Sequence, residues 1–194
     1  MNSQLLQEIF AEQLESRQRL SRESGPIILQ IAEVIAAAIK RGNKILLMGN
    51  GGSAADAQHV AAELVGRFTR ERAAWPAVAL TTDSSILTAV GNDYGFEAIF
   101  ARQVEALARP GDVVVGISTS GRSPNILAAL QRANELKAVT VGFTGGTGGN
   151  LVKLCELCFV APASKTALIQ ELHICAWHAI CNLVEADLTE THGN

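Results

Sequence analysis

The sequence predicts an α/β protein, a three-layer αβα sandwich with a five-stranded parallel sheet and an N-terminal helical hairpin. Two observations lead to this fold: five short apolar runs of strand length, and segments of helical periodicity between them. Continuous apolar runs indicate strands that are buried on both faces, as in parallel sheets covered by helices. The 194 residues favour a single domain, with the hairpin at 1–41 and the αβα core at 42–194.

The hairpin is predicted from two amphipathic segments at the start of the chain. Apolar residues at positions 5, 6, 9, 10, 14 and 20 mark the first helix, which breaks at Ser24-Gly25-Pro26. Pro26 suits the first turn of a second helix, because its missing N–H is not needed there. This second helix is expected to reach about Arg41, where Gly42 ends it.

The strands are predicted at the five apolar runs, and the last of them leads into a helix from about Thr166 to Leu188. The runs are KILLMG (44–49), AVALT (77–81), DVVVGIS (112–118), AVTVGFT (138–144) and LCFVAP (157–162). In sheets of this kind, ligands bind at the carboxyl ends of the strands. Four polar loops are therefore expected to meet at one edge, namely 49–53, 81–85, 118–125 and 144–150.

Composition and charge exclude several classes of partner. The formal net charge is 16 − 19 = −3 and there is no basic run, so nucleic acid and anionic membranes are not expected as direct partners. Charges interrupt the apolar stretches before about 20 residues, so no membrane-spanning helix is expected. The first 20 residues carry several acids, unlike a signal peptide. The predicted compartment is the cytoplasm.

The four cysteines include one CxxC pair, Cys155 and Cys158, in VKLCELCFVAP. A redox pair or half of a zinc site is one interpretation. We favour the alternative, two thiols at the edge of a buried strand, because no second CxxC follows at zinc-ribbon spacing. Cys175 and Cys181 lie on the last predicted helix.

Two loops suit a phosphorylated ligand. STSGRS (118–123) lies between a strand and a helix, where hydroxyls and backbone N–H groups can bind an anion. Its candidate contacts are Ser118, Thr119, Ser120 and Ser123; in the alternative interpretation, Ser123 only caps the helix and Gly121 only turns the chain. GNGGS (49–53) would let the backbone approach a ligand closely. Neither loop matches a Walker A or a dinucleotide-binding pattern, so we expect a small phosphate ester rather than a nucleotide.

Polar residues stand out on two of the predicted helices. His59 and Glu63 are one turn apart on an alanine-rich helix, so they share a face and could hold a metal or move a proton, although such pairs are often only surface contacts. On the last helix Gln170 and His178 are two turns apart, and the other candidates there, Glu171 and His173, could simply face solvent. Gln170 and His178 are about 12 Å apart along the axis. To reach one ion they would have to lean together or come from different subunits.

Four segments in this order resemble the phosphoheptose isomerases of the SIS (sugar isomerase) domain family. They are GNGGS-x5-H-x3-E, AVGNDYGFEAIF, GISTSG-x-S and IQE-x-H-x4-H, and the resemblance covers nearly the whole chain. It implies a cytoplasmic homotetramer with active sites at subunit interfaces. It also implies conversion of sedoheptulose 7-phosphate to D-glycero-D-manno-heptose 7-phosphate, the first step towards nucleotide-activated heptose for cell-surface glycans.

The resemblance also implies roles for individual residues. The implied zinc ligands are His59, Glu63, Gln170 and His178. The implied substrate contacts are Asn50, Gly51, Gly52, Ser53, Glu63, Asn92, Asp93, Ser118, Thr119, Ser120, Ser123 and Gln170. Because Gln is a poor zinc ligand, partial zinc occupancy is expected. In one departure, Leu168 replaces an Arg that many relatives carry directly before Ile-Gln.

Glu63 and His178 form the implied catalytic pair. Glu63 would be the base at carbon and His178 the acid–base partner at the oxygens, while zinc could polarise the carbonyl. One alternative is a non-catalytic SIS tetramer of the replication-initiator-associating type, whose members lack the counterparts of Glu63 and His178. The other is a sugar-phosphate-sensing module, which is normally fused to a DNA-binding segment that is absent from this sequence.

Overall fold

The computed structural model describes residues 2–190 and has the predicted three-layer α/β architecture. Its strands are β1 (Ile45–Gly49), β2 (Ala77–Ala79), β3 (Val113–Ile117), β4 (Val139–Gly145) and β5 (Leu157–Ala161). All neighbouring strands pair in parallel, in the order β2-β1-β3-β4-β5. The predicted five-stranded parallel sheet is therefore confirmed.

Helices cover both faces of the sheet. They are α1 (Ser3–Glu23), α2 (Gly25–Lys40), α3 (Gly52–Val65), α4 (Ser84–Tyr94), α5 (Ala101–Leu107), α6 (Pro124–Glu135), α7 (Leu151–Leu154) and α8 (Thr166–Glu190), with a 3₁₀ turn at Phe96–Ala98. The helices α2, α3 and α8 share one apolar core with the sheet, and α5 and α6 share the core on the opposite face. The N-terminal pair of helices is present, with Ser24 as the one residue between them.

The central strands show why their sequences are apolar throughout. Ile45 and Leu47 of β1 point into the core under α2 and α3, whereas Leu46 and Met48 point into the opposite core. Successive side chains of a strand alternate between faces, so a strand covered on both sides needs apolar residues at every position. All five residues of β1 and of β3 are buried.

The strand order creates a crevice between β1 and β3. From β1 the chain moves to β2 on one side, and then crosses to β3 on the other. The loops that leave β1 and β3 therefore diverge, which is where ligands bind in open parallel sheets. These loops are the predicted ligand segments GNGGS (49–53) and STSGRS (118–123).

Helix α8 is the segment that tests the prediction of no membrane-spanning helix. By length and composition it could cross a membrane, since its best 18-residue window has a mean hydropathy of 1.2. However, half of that window is buried inside the protein. The buried side includes Leu172, Ala176, Trp177 and Val184, which belong to the core shared with α2 and α3.

A fully buried carboxylate joins the end of α8 to the loop after α3. Glu185 accepts hydrogen bonds from the backbone N–H groups of Phe68 (2.7 Å), Thr69 (2.8 Å) and Arg70 (2.9 Å). Burial would raise the pKa of Glu185, but these bonds outweigh it and lower the pKa from its usual 4.5 to about 2. Glu185 is therefore ionised in the folded protein.

Arg72 is the charged partner of Glu185. Its Nε lies 3.1 Å from the Glu185 carboxylate, and its side chain is only 5% exposed. The remaining guanidinium nitrogens donate to the carbonyls of Glu63 (2.7 Å) and Leu64 (2.9 Å), at the end of α3. The guanidinium also lies 3.5 Å above the centre of the Trp75 ring. One ion pair thus fixes the end of α3, the following loop and α8 relative to one another.

We expect Glu185→Gln to destabilise the protein at pH 7 by roughly 3 kcal/mol, because it leaves the buried Arg72 without its counter-charge. The folded pKa of Glu185 is lowered, so its contribution is complete above about pH 4.5 and is lost as the pH falls towards 2. Urea unfolding of wild type should therefore show a loss of stability over this range that is smaller in the variant. Glu171→Gln, on the same helix, is the control. Equal losses for wild type and Glu185→Gln would contradict the assignment.

Candidate active site

Three ligand-type side chains meet where α3 and α8 lie side by side. His59 Nε2 lies 3.1 Å from His178 Nε2 and 3.3 Å from Glu63 Oε1. One ligand atom from each of the three residues lies within 4.8 Å of the other two, and within residues 2–190 no other group of His, Cys, Asp or Glu meets this condition. The predicted shared face of His59 and Glu63 is confirmed, and α8 brings His178 to it.

The donor set of this cluster fits a zinc ion. Two imidazole nitrogens and one carboxylate oxygen are the ligand types that zinc prefers, and three protein ligands leave a coordination position open for a substrate. His59 and His178 are both exposed and Glu63 is half-buried, so a ligand can reach the cluster from solvent. The Phe68 ring lies against His178, with 5.4 Å between ring centres.

The buried ion pair described above supports both halves of the cluster. Arg72 holds the backbone carbonyl of Glu63, and Glu185 holds the N–H of Phe68, whose ring contacts His178. The carboxylate and the imidazole are therefore positioned by a common buried network. These two charged residues are functional neighbours that the sequence analysis missed.

Gln170, on α8, lies away from His178 and packs against the start of α3. Its side-chain amide packs on Gly52 so closely that a Cβ at Gly52 would collide with it. Gly52 and His59 are about 10 Å apart along α3, so Gln170 lies near one end of the contact between α3 and α8 and His178 near the other. Gln170 as a metal ligand thus stays a prediction. Leu168, at the position of the expected Arg, is buried.

The serine loop (118–123) brings three hydroxyls together. Ser118 Oγ lies 2.9 Å from Ser123 Oγ and 3.5 Å from Ser120 Oγ. Ser123 stands directly before α6, but its side chain makes no capping hydrogen bond to the helix. The alternative in which Ser123 is only a helix cap therefore does not match the structure. The three hydroxyls converge on one another at a helix N-terminus, which suits a phosphate group.

A reciprocal amide pair joins this loop to the glycine turn after β1. Asn50 Nδ2 donates to Asn125 Oδ1 (3.0 Å), and Asn125 Nδ2 donates to Asn50 Oδ1 (2.9 Å). Asn125 is buried at 2% exposure and was not predicted as a site residue. The pair spans the crevice between β1 and β3, so it fixes the distance between the two ligand loops. Much of the hydrogen-bonding capacity of Asn50, a predicted substrate contact, is used in this pair.

The backbone of the glycine turn adopts a conformation that would be strained for any residue other than glycine. Gly51 has φ +55°, in the left-handed region that favours glycine. Ser53, a predicted substrate contact, is buried and lies against Gly49. The exposed surface of this turn is provided by Gly51 and Gly52.

Asn92 and Asp93 are predicted substrate contacts that lie on an exposed helix. They are near the end of α4, where Asn92 Nδ2 donates to Asp93 Oδ1 (2.8 Å). No residue of α4 is buried, and the neighbouring Tyr94 and Phe96 are 63% and 66% exposed. Within one chain this segment is little covered by the rest of the protein.

Two other candidates from the sequence have structural roles. Cys155 and Cys158 are free thiols whose sulfur atoms both lie over Gly142, and burial raises their pKa values to about 12 and 11. This matches the favoured interpretation of two thiols at a strand edge. His173 is fully buried, so the suggestion that it faces solvent is wrong. Its Nε2 contacts the Thr144 carbonyl (2.9 Å), and burial lowers its pKa to about 4.

Signals for the missed residues are weak in the sequence. Glu185 is an acid in an apolar helix, and Arg72 lies in an ordinary charged loop. Asn125 stands in the first turn of α6, where polar residues are common. The hydrogen bonds that join them to the site come from distant parts of the chain, 75 residues away for Asn125 with Asn50 and 117 for Glu185 with Phe68.

Comparisons with known proteins identify relatives of this chain. A family model described as SIS domain matches residues 9–145. A phosphoheptose isomerase of Aquifex aeolicus (strain VF5) is 53% identical over 185 residues, which cover 95% of this chain and 97% of the relative. The solved phosphoheptose isomerase of Neisseria gonorrhoeae has a TM-score of 0.90 and 42% identity, covering 95% of this chain and 98% of that one. The solved enzyme of Francisella tularensis has a TM-score of 0.92 and 36% identity, covering 96% and 100%.

Two glycines test how closely the serine loop is packed. Gly121 (φ +64°) and Gly146 (φ +59°) both have positive φ, but only at Gly121 would a methyl group overlap backbone, namely the Gly148 carbonyl. Gly146→Ala should cost about 1 kcal/mol for its backbone conformation. Gly121→Ala should cost roughly 1–3 kcal/mol more because of the overlap. Chemical denaturation measures both, and equal costs would show that the loop can move aside.

Proposed function

This chain belongs to the SIS domain family, and from that premise we propose that it is a phosphoheptose isomerase. It interconverts sedoheptulose 7-phosphate and D-glycero-D-manno-heptose 7-phosphate, an aldose–ketose isomerisation. One observation carries the proposal: His59, Glu63 and His178 meet at one end of the contact between α3 and α8, and the loops for a phosphate ester lie towards the other. The names of relatives at 53% and 42% identity support it.

The proposed phosphate loops and the proton-transfer residues are separated along α3. Gly52 and His59 are about 10 Å apart along α3, so a ligand held at the loops must be extended to reach Glu63 and His178. In a sugar 7-phosphate the reacting carbons, C1 and C2, are at the opposite end of the molecule from the phosphate. This separation therefore favours a long sugar with a terminal phosphate.

Glu63 and His178 supply the two proton transfers of the reaction. The Glu63 carboxylate takes a proton from C1 of the ketose and returns it to C2, which passes through an enediol. The His178 imidazole moves the accompanying proton between the oxygens on C1 and C2. Arg72 positions Glu63 through its backbone carbonyl, and Glu185 positions Phe68, whose ring contacts His178.

His59, Glu63 and His178 are the residues that would hold zinc, as their donor atoms fit that ion. When bound, zinc would polarise the substrate carbonyl and stabilise negative charge on the oxygens. Gln170 is proposed as a substrate contact, because its amide packs on Gly52. The serine loop, with Ser118, Ser120 and Ser123, is proposed to bind the phosphate together with Thr119.

The working enzyme is proposed to be a cytoplasmic homotetramer with sites at subunit interfaces. The apolar side of α1 supports an association surface, since Leu5, Leu6, Ile9, Phe10 and Leu14 are each at least 44% exposed. Along the same helix Ser16 and Leu20 are buried on the body of the chain. Asn92 and Asp93, which are exposed in one chain, would join the site of a neighbouring subunit. The product would supply nucleotide-activated heptose for cell-surface glycans.

The deciding experiment follows sedoheptulose 7-phosphate by NMR in the presence of the purified protein. Appearance of an aldoheptose 7-phosphate, with its C1 signal, supports the proposal. A non-catalytic SIS tetramer would leave the ketose unchanged while still assembling. This alternative is disfavoured because the chain has both Glu63 and His178.

We expect Glu63→Gln to lower kcat by about 10²- to 10⁴-fold, because it removes the base and keeps the size of the side chain. His178→Asn should behave alike, and the double variant should be little worse than either single one, since the two residues act as a unit. Steady-state kinetics on the heptose phosphate measures all three.

Two controls accompany these variants. Glu33→Gln on α2 removes a carboxylate far from the cluster and should retain wild-type kcat. Treatment of wild type with a chelator, followed by addition of zinc, tests the metal: loss and recovery of activity supports a catalytic ion. Wild-type turnover by both Glu63→Gln and His178→Asn would show that the pair is structural.

The assembly is tested on α1. Phe10→Asp with Leu14→Asp places two charges on the exposed apolar side, so association should weaken and sedimentation should give a smaller species. Activity should fall with it, because the sites are shared. Glu15→Lys, on the opposite side of the helix, is the control and should sediment as wild type. A fully active monomer would rule out shared sites.

A further inference from the structure

A polar cavity of about 240 Å³ adjoins the serine loop, between the ends of β3 and β4 and the start of α8. Hydroxyl groups make up much of its wall, provided by Thr119, Ser120, Thr147, Ser164 and Thr166. Among the described residues that line it, Arg122 is the only charged one. The cavity therefore has one positive charge and no carboxylate.

Within residues 2–190, the guanidinium of Arg122 is available for a ligand. The residue is exposed, and the hydrogen bond that it makes comes from its backbone N–H. Across residues 2–190, its side chain forms no hydrogen bond or ion pair with another residue. A guanidinium has five N–H donors and no acceptor, and its planar fork matches the oxygens of a phosphate.

The base of this side chain is held in place by the loop. The backbone N–H of Arg122 donates to Ser120 Oγ (3.3 Å), which ties it to a predicted phosphate contact. The Gly121 carbonyl accepts from the Asn150 N–H (2.9 Å), and the Thr119 carbonyl accepts from the Gly145 N–H (3.1 Å). The loop is thus hydrogen-bonded on both sides of Ser120, so the backbone of Arg122 is held beside the hydroxyls.

A phosphate ester is negatively charged, so its binding is favoured by a cationic partner such as Arg122. A phosphate monoester carries about −1.5 to −2 charges at pH 7, whereas the serine loop offers only neutral donors besides Arg122. The start of α8, a 25-residue helix, adds partial positive charge at Thr166 on the opposite wall. The donors on both walls and the lone cation favour an anion in this cavity.

We propose that Arg122 is a phosphate-binding residue, which extends the serine-loop site into this cavity and selects a dianionic ester over an uncharged sugar. The ester is held between the hydroxyls of Ser120 and Ser123 and the guanidinium of Arg122. The identity of the ester rests on the proposed function, whereas the anion site does not.

The test uses inorganic phosphate as the probe, measured by calorimetry on the full-length protein without turnover. Arg122→Ala should weaken phosphate binding by about tenfold, as expected for one charged hydrogen-bonding partner at an exposed site. Arg122→Lys keeps the charge but loses the fork, so its loss should be smaller. Arg41→Ala removes an exposed arginine at the end of α2 and should bind phosphate as wild type does.

Turnover provides the second readout. Arg122→Ala should raise KM for the heptose phosphate about tenfold with little change in kcat, because Arg122 does not touch the reacting carbons. Phosphate affinity that is equal in wild type and in both Arg122 variants overturns the proposal. If wild type binds phosphate in an Arg122-dependent way but does not isomerise the sugar, the anion site stands and the proposed function fails.

Discussion

The buried carboxylate of Glu185 is the interaction on which the site geometry depends. Three consecutive N–H groups of the loop after α3 donate to this carboxylate. Without this acceptor, three partly buried donors would lose their partner, and each fully buried donor left unpaired costs about 1–3 kcal/mol. Glu185 satisfies all three, and Arg72 balances its charge while binding the last carbonyls of α3. The relative position of α3 and α8 follows from this arrangement.

Because α3 and α8 both start at the ligand edge of the sheet, equal distances along them face each other. Gln170 meets Gly52 near the edge, and His178 meets His59 two turns farther on. The contact between α3 and α8 therefore has the Gln170 amide at one end and the cluster of His59, Glu63 and His178 at the other. Because the two ends lie about 10 Å apart along α3, only an elongated ligand can contact both.

Much of the fold follows from local patterns, and much of the site does not. The five apolar runs predict the strands because a strand that is buried on both faces needs apolar residues at nearly every position. The spacing of His59 and Glu63, one turn apart, is enough to place them on one face of a helix. Contacts between distant segments carry no such signature. The bond from Asn50 to Asn125 spans 75 residues. The burial of His173 was not predicted, because the hydrogen bond of its Nε2 is to the Thr144 carbonyl, 29 residues away along the chain.

The position of β1 has a consequence for how the chain is made. This strand is the first to emerge from the ribosome, yet it lies inside the sheet and pairs with β3, whose residues follow about 70 positions later. Helices α2 and α3 cover one face of β1, but the opposite face, with Leu46 and Met48, is covered only after α5 and α6 have been made. Helix α8, the last helix, completes the core on the side of α2 and α3. Nascent chains that lack α8 also lack His178 and Glu185. An interrupted product therefore has neither the imidazole proposed for catalysis nor the ion pair that joins α3 to α8.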